Sequence, residues 1–305
     1  MKAIEIENLN KIYNNRVQAL SDVSFYVSEG EVFGLVGPDG GGKSTIFNIL
    51  ATLLLPTSGQ ASVLSRDVVN DAKIIRQLIG YLPGVFSLYP DLTVEENLIF
   101  FATMYKSRIK DNLPLIRPIW KQLVPFKDRR AGKLSGGMKQ KLALCCALIH
   151  KPALLLLDEP TTGVDPVSRA EFWDILTNIQ KQGITVLVST PYMDEATRCD
   201  RIALIQEGKI IKIDTPTNIM EAYRGFLYTI KVENVFSVME KLKEFDFPCN
   251  YYPYGQELHI AFYEAPEIVL QKFCSFLREQ NIKFEELSPI QPTIEDCFIE
   301  LVKLK

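Results

Sequence analysis

The sequence feature that most restricts the fold is a glycine-rich segment between a predicted strand and a predicted helix. Residues 37–44 read GPDGGGKS and fit the pattern G-x-x-x-x-G-K-[ST]. The segment follows an apolar, β-branched run at residues 32–36 and precedes a helix predicted over residues 44–54. Glycines let backbone N–H groups curl around phosphate oxygens, and a helix N-terminus adds a favourable dipole. This strand–loop–helix unit predicts an α/β domain that binds a nucleotide through its phosphates.

Individual residues of this loop have predicted roles. Lys43 is expected to reach the β- and γ-phosphates, and the Ser44 hydroxyl is expected to ligate Mg²⁺. Asp39 carries a negative charge that is unfavourable beside a triphosphate, so its side chain is expected to point to solvent. The alternative is a chance glycine-rich turn, but the strand, loop, Lys–Ser pair and helix follow in order. The predicted nucleotide contacts in the loop are Gly37, Pro38, Asp39, Gly40, Gly41, Gly42, Lys43, Ser44 and Thr45.

A pair of carboxylates follows a second apolar strand. Residues 154–157 are four leucines, and Asp158, Glu159 and Pro160 come directly after them. The run predicts a strand buried on both faces, as in a parallel sheet. Asp158 is expected at the Mg²⁺ site, because a carboxylate at a strand end beside the phosphate loop has that role in P-loop proteins. Glu159 is then placed to orient or deprotonate the attacking water. The alternative is an ordinary acidic turn after a core strand.

Composition limits the broad class of the protein. The chain has 305 residues, the length of one large domain plus a small one. Its net charge of -3 argues against a dedicated nucleic-acid binder. No apolar run approaches the ~18–20 residues that cross a bilayer, and residues 1–13 alternate like a strand instead of forming a signal peptide. We therefore expect a cytosolic protein whose membrane role depends on a partner. The six cysteines, with irregular spacing, are expected to be buried free thiols.

The remaining pattern predicts two domains. Residues 90–150 look mostly helical, with a capping box formed by Thr93 and Glu96. After Arg224 the pattern changes to the order β-α-β-β-α-β, which predicts a small α+β domain of the ferredoxin-like type. We place the first domain at residues 1–223, with a helical subdomain at about 85–150, and the second at residues 224–305. Its predicted elements are strands 226–232, 258–262 and 282–287, a Tyr-rich run near 251, and helices 235–245, 265–280 and 294–304.

The segment between the two motifs points to a family. Residues 134–140 read LSGGMKQ, which no generic P-loop enzyme requires. The segment resembles the signature sequence of ABC ATPases, and most of residues 1–223 resembles an ABC nucleotide-binding domain, with its mixed sheet and helical subdomain. By this resemblance, Tyr13 stacks on adenine and Asp165 belongs to the D-loop. The residues expected to bind the nucleotide of a partner subunit are Ser135, Gly136, Gly137 and Gln140.

The resemblance implies an activity and partners. An ABC ATPase works as a head-to-tail dimer that clamps ATP and Mg²⁺ between one chain's Lys43 loop and its partner's Ser135 turn. It powers integral-membrane permease subunits from the cytoplasmic face of the cell membrane, with no nucleic acid involved. Residues 292–298, PTIEDCF, are similar to the tail of ABC-2 type export ATPases of drugs and polymers. The segment GPDGGGKST, residues 37–45, is similar to the phosphate loop of the multidrug-export branch, whose members often carry two cassettes.

Two positions depart from the family pattern. Gly84 stands where the family has the Q-loop glutamine, and Pro191 stands where it has the switch histidine. Losing one donor to the developing phosphate charge commonly costs about 10²–10³ in rate. In one interpretation Glu159 and Lys43 suffice and hydrolysis is slow. In the other, this nucleotide site is weakened and the intact Ser135 turn serves a second, different ATPase subunit.

Other functions remain open at this point. A non-transport ABC ATPase acting on ribosomes or DNA is less favoured, because the sequence shows one cassette, no long coiled-coil insertion and a net charge of -3. A regulatory module that binds ATP without hydrolysing it fits Gly84 and Pro191 but not the intact Glu159. The cluster of Tyr251, Tyr252 and Tyr254 is expected to serve packing and not ligand binding.

Overall fold

Helix α7, Pro216–Glu221, contains the point at which the chain divides into two compact units, Met1–Thr217 and Asn218–Lys305. The sequence-based boundary at 223–224 lies just after this helix. The computed structural model describes residues 1–14, 16–285 and 287–303. No helix within those ranges is both long and apolar enough to cross a membrane. All six cysteines are free thiols; Cys249 and Cys274 are half-buried and the other four are buried.

The first unit contains two sheets. Its strands are β1 Lys2–Tyr13, β2 Val17–Ser28, β3 Val32–Val36, β4 Ser58–Val63, β5 Arg66–Asp67, β6 Ile79–Leu82, β7 Leu154–Asp158, β8 Thr185–Thr190, β9 Arg201–Gln206 and β10 Lys209–Asp214. The antiparallel sheet has the order β2-β1-β4-β5. The larger sheet has the order β10-β9-β3-β8-β7-β6, parallel except for the β9–β10 hairpin. The predicted mixed sheet is therefore present.

The described residues of this unit form six helices in addition to the start of α7. They are α1 Lys43–Leu50, α2 Ala72–Leu78, α3 Val94–Met104, α4 Ile109–Leu123, α5 Gly136–Leu148 and α6 Pro166–Gln180, with 3-10 turns at Val124–Phe126, Ala131–Lys133 and Met193–Arg198. The predicted capping box begins α3: Glu96 N donates to Thr93 Oγ1 at 3.1 Å, and Thr93 N donates to Glu96 Oε2 at 2.8 Å. Helix α1 ends earlier than the predicted residue 54, and the next turn has Thr52 at φ 60°.

The parallel strands bring the site residues together. Strands β3, β7 and β8 are buried along their whole length, which explains their continuous apolar sequences. Their neighbours in the core include Phe47 of α1, which is fully buried. Because β3 pairs with β8 and β8 pairs with β7 in parallel, their carboxyl ends lie at one edge of the sheet. The phosphate loop, the Asp158–Glu159 pair and the segment after Thr190 all start from that edge.

The second unit has the predicted order of elements after α7. These are β11 Phe226–Lys231, α8 Val235–Leu242, β12 Cys249–Tyr254, β13 Glu257–Phe262, α9 Pro266–Glu279, β14 Ser288–Pro289 and α10 Ile294–Lys303. The sheet is antiparallel with the order β12-β13-β11-β14. The strand predicted at 282–287 is wrong in extent: Phe284 makes only an isolated bridge to Val232, and Glu286 lies outside the described residues. Ile282, Phe284 and Leu287 pack on the core, so these apolar residues are accommodated without a continuous ladder.

A buried carboxylate fixes α10 in the second unit. Asp296 is completely buried and accepts hydrogen bonds from Tyr252 Oη at 2.7 Å and from both the backbone N and Oγ1 of Thr293 at 2.6 Å. His259 Nδ1 lies 2.7 Å from the same carboxylate, and the ring of Tyr254 stacks on His259. Burial acts to raise the pKa of Asp296, but the hydrogen bonds from His259, Thr293 and Tyr252 hold that pKa below its ordinary value.

Replacing Asp296 by alanine is expected to lower the free energy of unfolding by about 3 kcal/mol, because it leaves several buried donors without an acceptor. The folded-state pKa is depressed, so this stabilisation is present above the unfolded-state pKa of about 4 and is lost as pH falls below it. Urea unfolding of the full chain at pH 7 and pH 3 measures both effects. Glu264→Ala, at an exposed position, is the control. Equal stability of Asp296→Ala and wild type at pH 7 would contradict the prediction.

Candidate functional site

The phosphate loop is shaped by one glycine and anchored by one strand. Gly42, directly before α1, has φ 100°, and a Cβ at this position would lie 2.7 Å from the carbonyl oxygen of Ala19. Only glycine fits both the backbone angle and the space. Gly37, at the other end of the loop, donates its N–H to the carbonyl of Thr190 at 3.3 Å. The end of β8 therefore holds the start of the loop.

Lys43 is held over the loop in a defined position. Its side chain is 3% exposed, and Nζ donates to the carbonyls of Gly37 at 2.8 Å and Pro38 at 3.0 Å. Nζ also lies 3.1 Å from Glu159 Oε1. Asp39 is 88% exposed, with its carboxylate 4.0 Å from Nζ, so its side chain points to solvent as expected. The ammonium group therefore sits between the loop backbone and the carboxylate that follows β7.

Asp158 is a buried carboxylate with two hydroxyl partners. Ser189 Oγ donates to Asp158 Oδ1 at 2.7 Å, and the Ser44 hydroxyl is hydrogen-bonded to the same carboxylate. Burial raises the pKa of Asp158 above its ordinary value, although both serine bonds and the nearby Lys43 lower it. A carboxylate whose charged form is penalised by burial is stabilised by a cation. The expected metal contacts, Ser44 and Asp158, thus lie together beside the loop.

The donor set around Asp158 fits Mg²⁺. Mg²⁺ prefers hard oxygen ligands and is usually bound by one or two protein groups together with substrate phosphates and water. Ser44 and Asp158 supply two such oxygens. Over the part of the chain that the structure describes, no cluster of three His, Cys, Asp or Glu side chains could hold a metal by itself. Ser44 and Asp158 are thus the two protein groups beside the loop that could hold Mg²⁺.

Glu159 has an unusual backbone and a fixed carboxylate. Its φ is 49°, in the left-handed region that costs a non-glycine residue about 1–3 kcal/mol and that clusters at functional sites. Its N–H donates to Ser189 Oγ at 2.9 Å. Its carboxylate lies between Lys43 and Thr162, whose Oγ1 donates to Oε2 at 3.3 Å. Ser189 Oγ therefore donates to the Asp158 carboxylate and accepts the backbone N–H of Glu159.

The two positions that depart from the family pattern lie at this site. A Cβ on Gly84 would lie 3.3 Å from Asp158 O and 3.8 Å from Asp158 Oδ2, so residue 84 faces the carboxylate directly. Pro191 follows Thr190, whose carbonyl holds Gly37. Neither residue offers a polar side chain, and Pro191 also lacks a backbone N–H. The site thus contains the loop, the lysine and both carboxylates, and lacks side-chain ligands from these two positions.

Tyr13 lies beside the first turn of α1. Its hydroxyl is 3.4 Å from Thr45 Oγ1, and Lys11 Nζ lies 5.3 Å from its ring centroid. The side chain is 37% exposed. The predicted adenine-stacking residue is therefore next to the predicted loop contact Thr45.

The signature residues lie at the start of α5 and pack against the D-loop helix. Ser135 caps α5 by accepting the N–H of Met138 at 3.4 Å. A Cβ on Gly137 would lie 2.9 Å from Ser168 Cβ, so glycine is needed for this close approach. Asp165 caps α6 by accepting Ser168 N at 3.0 Å, a bond that lowers the pKa of Asp165.

The signature turn is separate from the chain's own lysine. Gln140 is half-buried in α5. In residues 1–14, 16–285 and 287–303, no hydrogen bond or ion pair joins Ser135, Gly136 or Gly137 to Lys43. Ser135 and Gly136, at the N-terminus of α5, are exposed.

Sequence reasoning missed four polar residues behind the site. Ser189 and Thr190 are fully buried at the end of β8, and Glu195 is 4% exposed in the 3-10 turn that follows. Arg169 of α6 pairs with Glu195, with 3.5 Å between Arg169 Nε and Glu195 Oε1. The signal that could have found them is the Ser-Thr pair that ends an otherwise apolar strand, because buried hydroxyls need partners.

An exposed apolar group lies after β6 and along α3. Phe86 and Phe100 are 40% and 38% exposed, and Tyr89 stacks edge-on against Phe100 with centroids 4.7 Å apart. We call this group the apolar patch; its members are Val85, Phe86, Tyr89, Ile99, Phe100 and Met104.

Comparison with known proteins agrees with these features. A family model described as ABC transporter matches residues 20–162. A probable multidrug ABC transporter ATP-binding protein, YbhF of Escherichia coli, is 44% identical over 218 residues, 71% of this chain and 38% of that protein. The Nod factor export ATP-binding protein I of Burkholderia orbicola is 37% identical over 225 residues, 73% of this chain and 74% of that protein. The chain thus matches well under half the length of the first relative and most of the second.

Solved structures of cassettes are also similar. A dimeric post-hydrolysis structure of the ATP-binding cassette MJ0796, bound to ADP and Pi, is 26% identical with a TM-score of 0.62, covering 70% of this chain and 98% of that one. The structure of cbiO1 from Clostridium perfringens, part of the complex cbiONQ, is 27% identical with a TM-score of 0.64, covering 72% and 91%. With the phosphate loop, the carboxylate pair and the signature turn in place, the chain belongs to the family of ABC transporter ATP-binding proteins.

Proposed function

We propose that the chain binds MgATP and hydrolyses it to power export through integral-membrane permease subunits. The observation that carries the proposal is the arrangement of Lys43, Asp158 and Glu159 around one phosphate loop, with Lys43 Nζ 3.1 Å from Glu159 Oε1. Within this proposal residues 1–223 form the cassette and residues 224–305 an accessory domain. The relatives named for multidrug and Nod factor export support the direction of transport.

The chain's own residues account for the chemistry. Backbone N–H groups of the loop and the N-terminus of α1 bind the phosphates, and the Lys43 ammonium neutralises charge on the β- and γ-phosphates. Ser44 and Asp158 would hold Mg²⁺, which neutralises charge on the phosphate oxygens when bound. A γ-phosphate competes with Glu159 for Lys43, and this competition frees the carboxylate. Glu159 then accepts a proton from the attacking water.

A dimer and a membrane partner complete the proposal. The exposed N-terminus of α5 at Ser135 is an anion site that a second subunit's nucleotide can use. The solved dimer of a related cassette supports this arrangement. The apolar patch supports a protein partner, because Val85 is 77% and Met104 52% exposed without a cover in this chain. We place the protein on the cytoplasmic face of the cell membrane, attached through the permease.

Steady-state phosphate release from MgATP by the purified full chain tests this proposal. Phosphate release is expected to require added Mg²⁺ and to stop when a chelator is added, because Asp158 and Ser44 are proposed to hold the metal. Phosphate release that continues unchanged in chelator would contradict the assigned site.

The alternative is a weakened site that pairs with a second, different ATPase subunit. The specific observation in its favour is that Gly84 faces Asp158 and Pro191 directly follows Thr190, whose carbonyl binds Gly37, whereas the Ser135 turn keeps its cap. The match to YbhF occupies 38% of that protein, which leaves length for a second cassette there. In this interpretation, the Ser135 turn of the chain completes the nucleotide site of the second ATPase subunit.

The double variant Gly84→Gln/Pro191→His is expected to raise kcat by about tenfold or more, because it adds two polar side chains next to the reacting phosphate. A Cβ at residue 84 would lie 3.3 Å from the backbone oxygen of Asp158, so the backbone there must move by a few tenths of an ångström to admit the glutamine. Phosphate release under saturating MgATP is the measurement. Gly84→Ala/Pro191→Ala, which removes the proline without adding a polar group, is the control. An unchanged kcat in the double variant would show that these positions do not limit hydrolysis.

A further inference from the structure

The buried carboxylate of Glu195, which we call the buried node, contacts residues from three segments of the site. Its Oε2 accepts hydrogen bonds from Thr161 Oγ1 at 3.0 Å and from Thr190 Oγ1 at 2.5 Å. Its Oε1 faces Arg169 Nε at 3.5 Å. The carboxylate is 4% exposed, and the two threonines are 1% and 0% exposed. A buried charge with several partners fixes geometry, because removing it leaves each partner unsatisfied.

Each threonine connects the node to a reacting part of the site. Thr161 stands two residues after Glu159, in the turn that carries the proposed base. Thr190 ends β8; its carbonyl accepts Gly37 N at 3.3 Å, and its hydroxyl accepts Tyr192 N at 3.0 Å. One carboxylate oxygen of Glu195 therefore fixes the Glu159 turn relative to the start of the phosphate loop. Among the described residues, no hydrogen bond or ion pair joins the Glu195 side chain directly to the phosphate loop, residues 37–45.

The third connection leads to α6. Arg169 stacks over the ring of Tyr192 at 4.3 Å and donates to Asp194 at 2.8 Å, so it holds the whole segment after Pro191. Its neighbour Ser168 is the residue that contacts Gly137 of the signature turn. Arg169 Nε and Glu195 Oε1 are both buried without a hydrogen bond although they face each other. This pair is close enough for a small shift of α6 to complete the bond.

We propose that Glu195 is a positioning residue for ATP hydrolysis: it holds the Glu159 turn against the phosphate loop, and through Arg169 it links that geometry to α6. The inference rests on the proposed hydrolysis and deepens it. The side-chain partners of Glu195 are Thr161, Thr190 and Arg169 and not the phosphate loop, so its loss is expected to affect the orientation of Glu159 more than ATP binding. A displacement of about 1 Å at a reacting group costs about 10²-fold in rate.

The test compares kcat and KM for MgATP in a set of variants. Glu195→Ala is expected to lower kcat by about 10- to 100-fold with KM within about threefold of wild type. Glu195→Gln keeps an acceptor for both threonines but loses the charge that faces Arg169. It is expected to recover part of the kcat lost in Glu195→Ala. The double variant Glu195→Gln/Arg169→Met is expected to be no slower than Arg169→Met alone, because Arg169→Met already removes the one contact that Glu195→Gln loses.

The chain offers a matched control between the same two elements. Asp174 of α6 pairs with Arg198 of the same 3-10 turn at 3.2 Å, but both side chains are exposed and neither touches Thr161 or Thr190. Asp174→Asn is expected to leave kcat unchanged. Thermal unfolding of every variant sets an assay temperature well below its transition.

The outcomes separate this inference from the function on which it rests. If the wild type hydrolyses ATP and a folded Glu195→Ala protein has the same kcat, the positioning role is overturned while the ATPase activity stands. A role in folding alone predicts lower thermal stability of Glu195→Ala with unchanged kcat below the transition, and this result also overturns it. Absence of Mg²⁺-dependent turnover in wild type contradicts the hydrolysis itself.

Discussion

Lys43→Ala is expected to weaken MgATP binding by about 10- to 100-fold and to lower kcat by about 10²–10³-fold. Lys43 is the buried cation of the loop, positioned by the carbonyls of Gly37 and Pro38. A charge-assisted bond to phosphate is among the stronger polar interactions in proteins, and the same charge stabilises the transferred phosphoryl group. The alanine variant keeps the loop glycines and α1 but loses this charge.

Equilibrium binding of MgATP, followed by steady-state phosphate release, measures the two effects of Lys43→Ala separately. Lys73→Ala, which removes an exposed lysine of α2, controls for a general change in charge. Circular dichroism establishes that the variant is folded. Unchanged affinity and turnover in a folded Lys43→Ala protein would exclude this loop as the nucleotide site.

Glu159→Gln is expected to lower kcat by about 10²–10⁴-fold while MgATP binding is retained. The amide cannot accept the proton of the attacking water. It also no longer pairs with Lys43, whose Nζ lies 3.1 Å from the carboxylate, so the ammonium remains free for phosphate. ATP binding is therefore expected to be equal to or tighter than that of the wild type, in contrast to Lys43→Ala.

Comparing Lys43→Ala with Glu159→Gln separates the binding of phosphate from the activation of the attacking water. Rapid-quench measurement of a single turnover at saturating MgATP reports the chemical step of Glu159→Gln directly. Asp174→Asn, an exposed carboxylate of α6, serves as the carboxylate-to-amide control. A Glu159→Gln protein that hydrolyses ATP at the wild-type rate would show that another group activates the water.

Local sequence patterns predicted the parts of the site that are continuous in the chain. The phosphate loop was predictable because its glycines, Lys43 and Ser44 must follow one another between a strand and a helix. The Asp158–Glu159 pair was predictable because an apolar strand of a parallel sheet ends at the functional edge. The capping box at Thr93 is also present, because its two hydrogen bonds depend on residues three positions apart.

Contacts between distant segments were not predictable in the same way. Ser189 is 31 residues from Asp158, and Thr161 is 34 residues from Glu195, so only the sheet pairing brings these residues together. In the second unit a strand was predicted at 282–287, but Ile282, Phe284 and Leu287 pack on the core without a continuous ladder. Strand pairing depends on partners elsewhere in the chain, which a local apolar pattern does not report.

This cassette is proposed to hydrolyse ATP by its own Glu159 despite Gly84 and Pro191. The most direct measurement is steady-state phosphate release from MgATP by the purified wild-type chain, with Lys43→Ala as the blank. Turnover clearly above the blank, lost in Glu159→Gln and in chelator, is the predicted result. Turnover equal to the blank, with MgATP still bound, would contradict the claim and would assign the chain to a pair with a second, competent ATPase subunit.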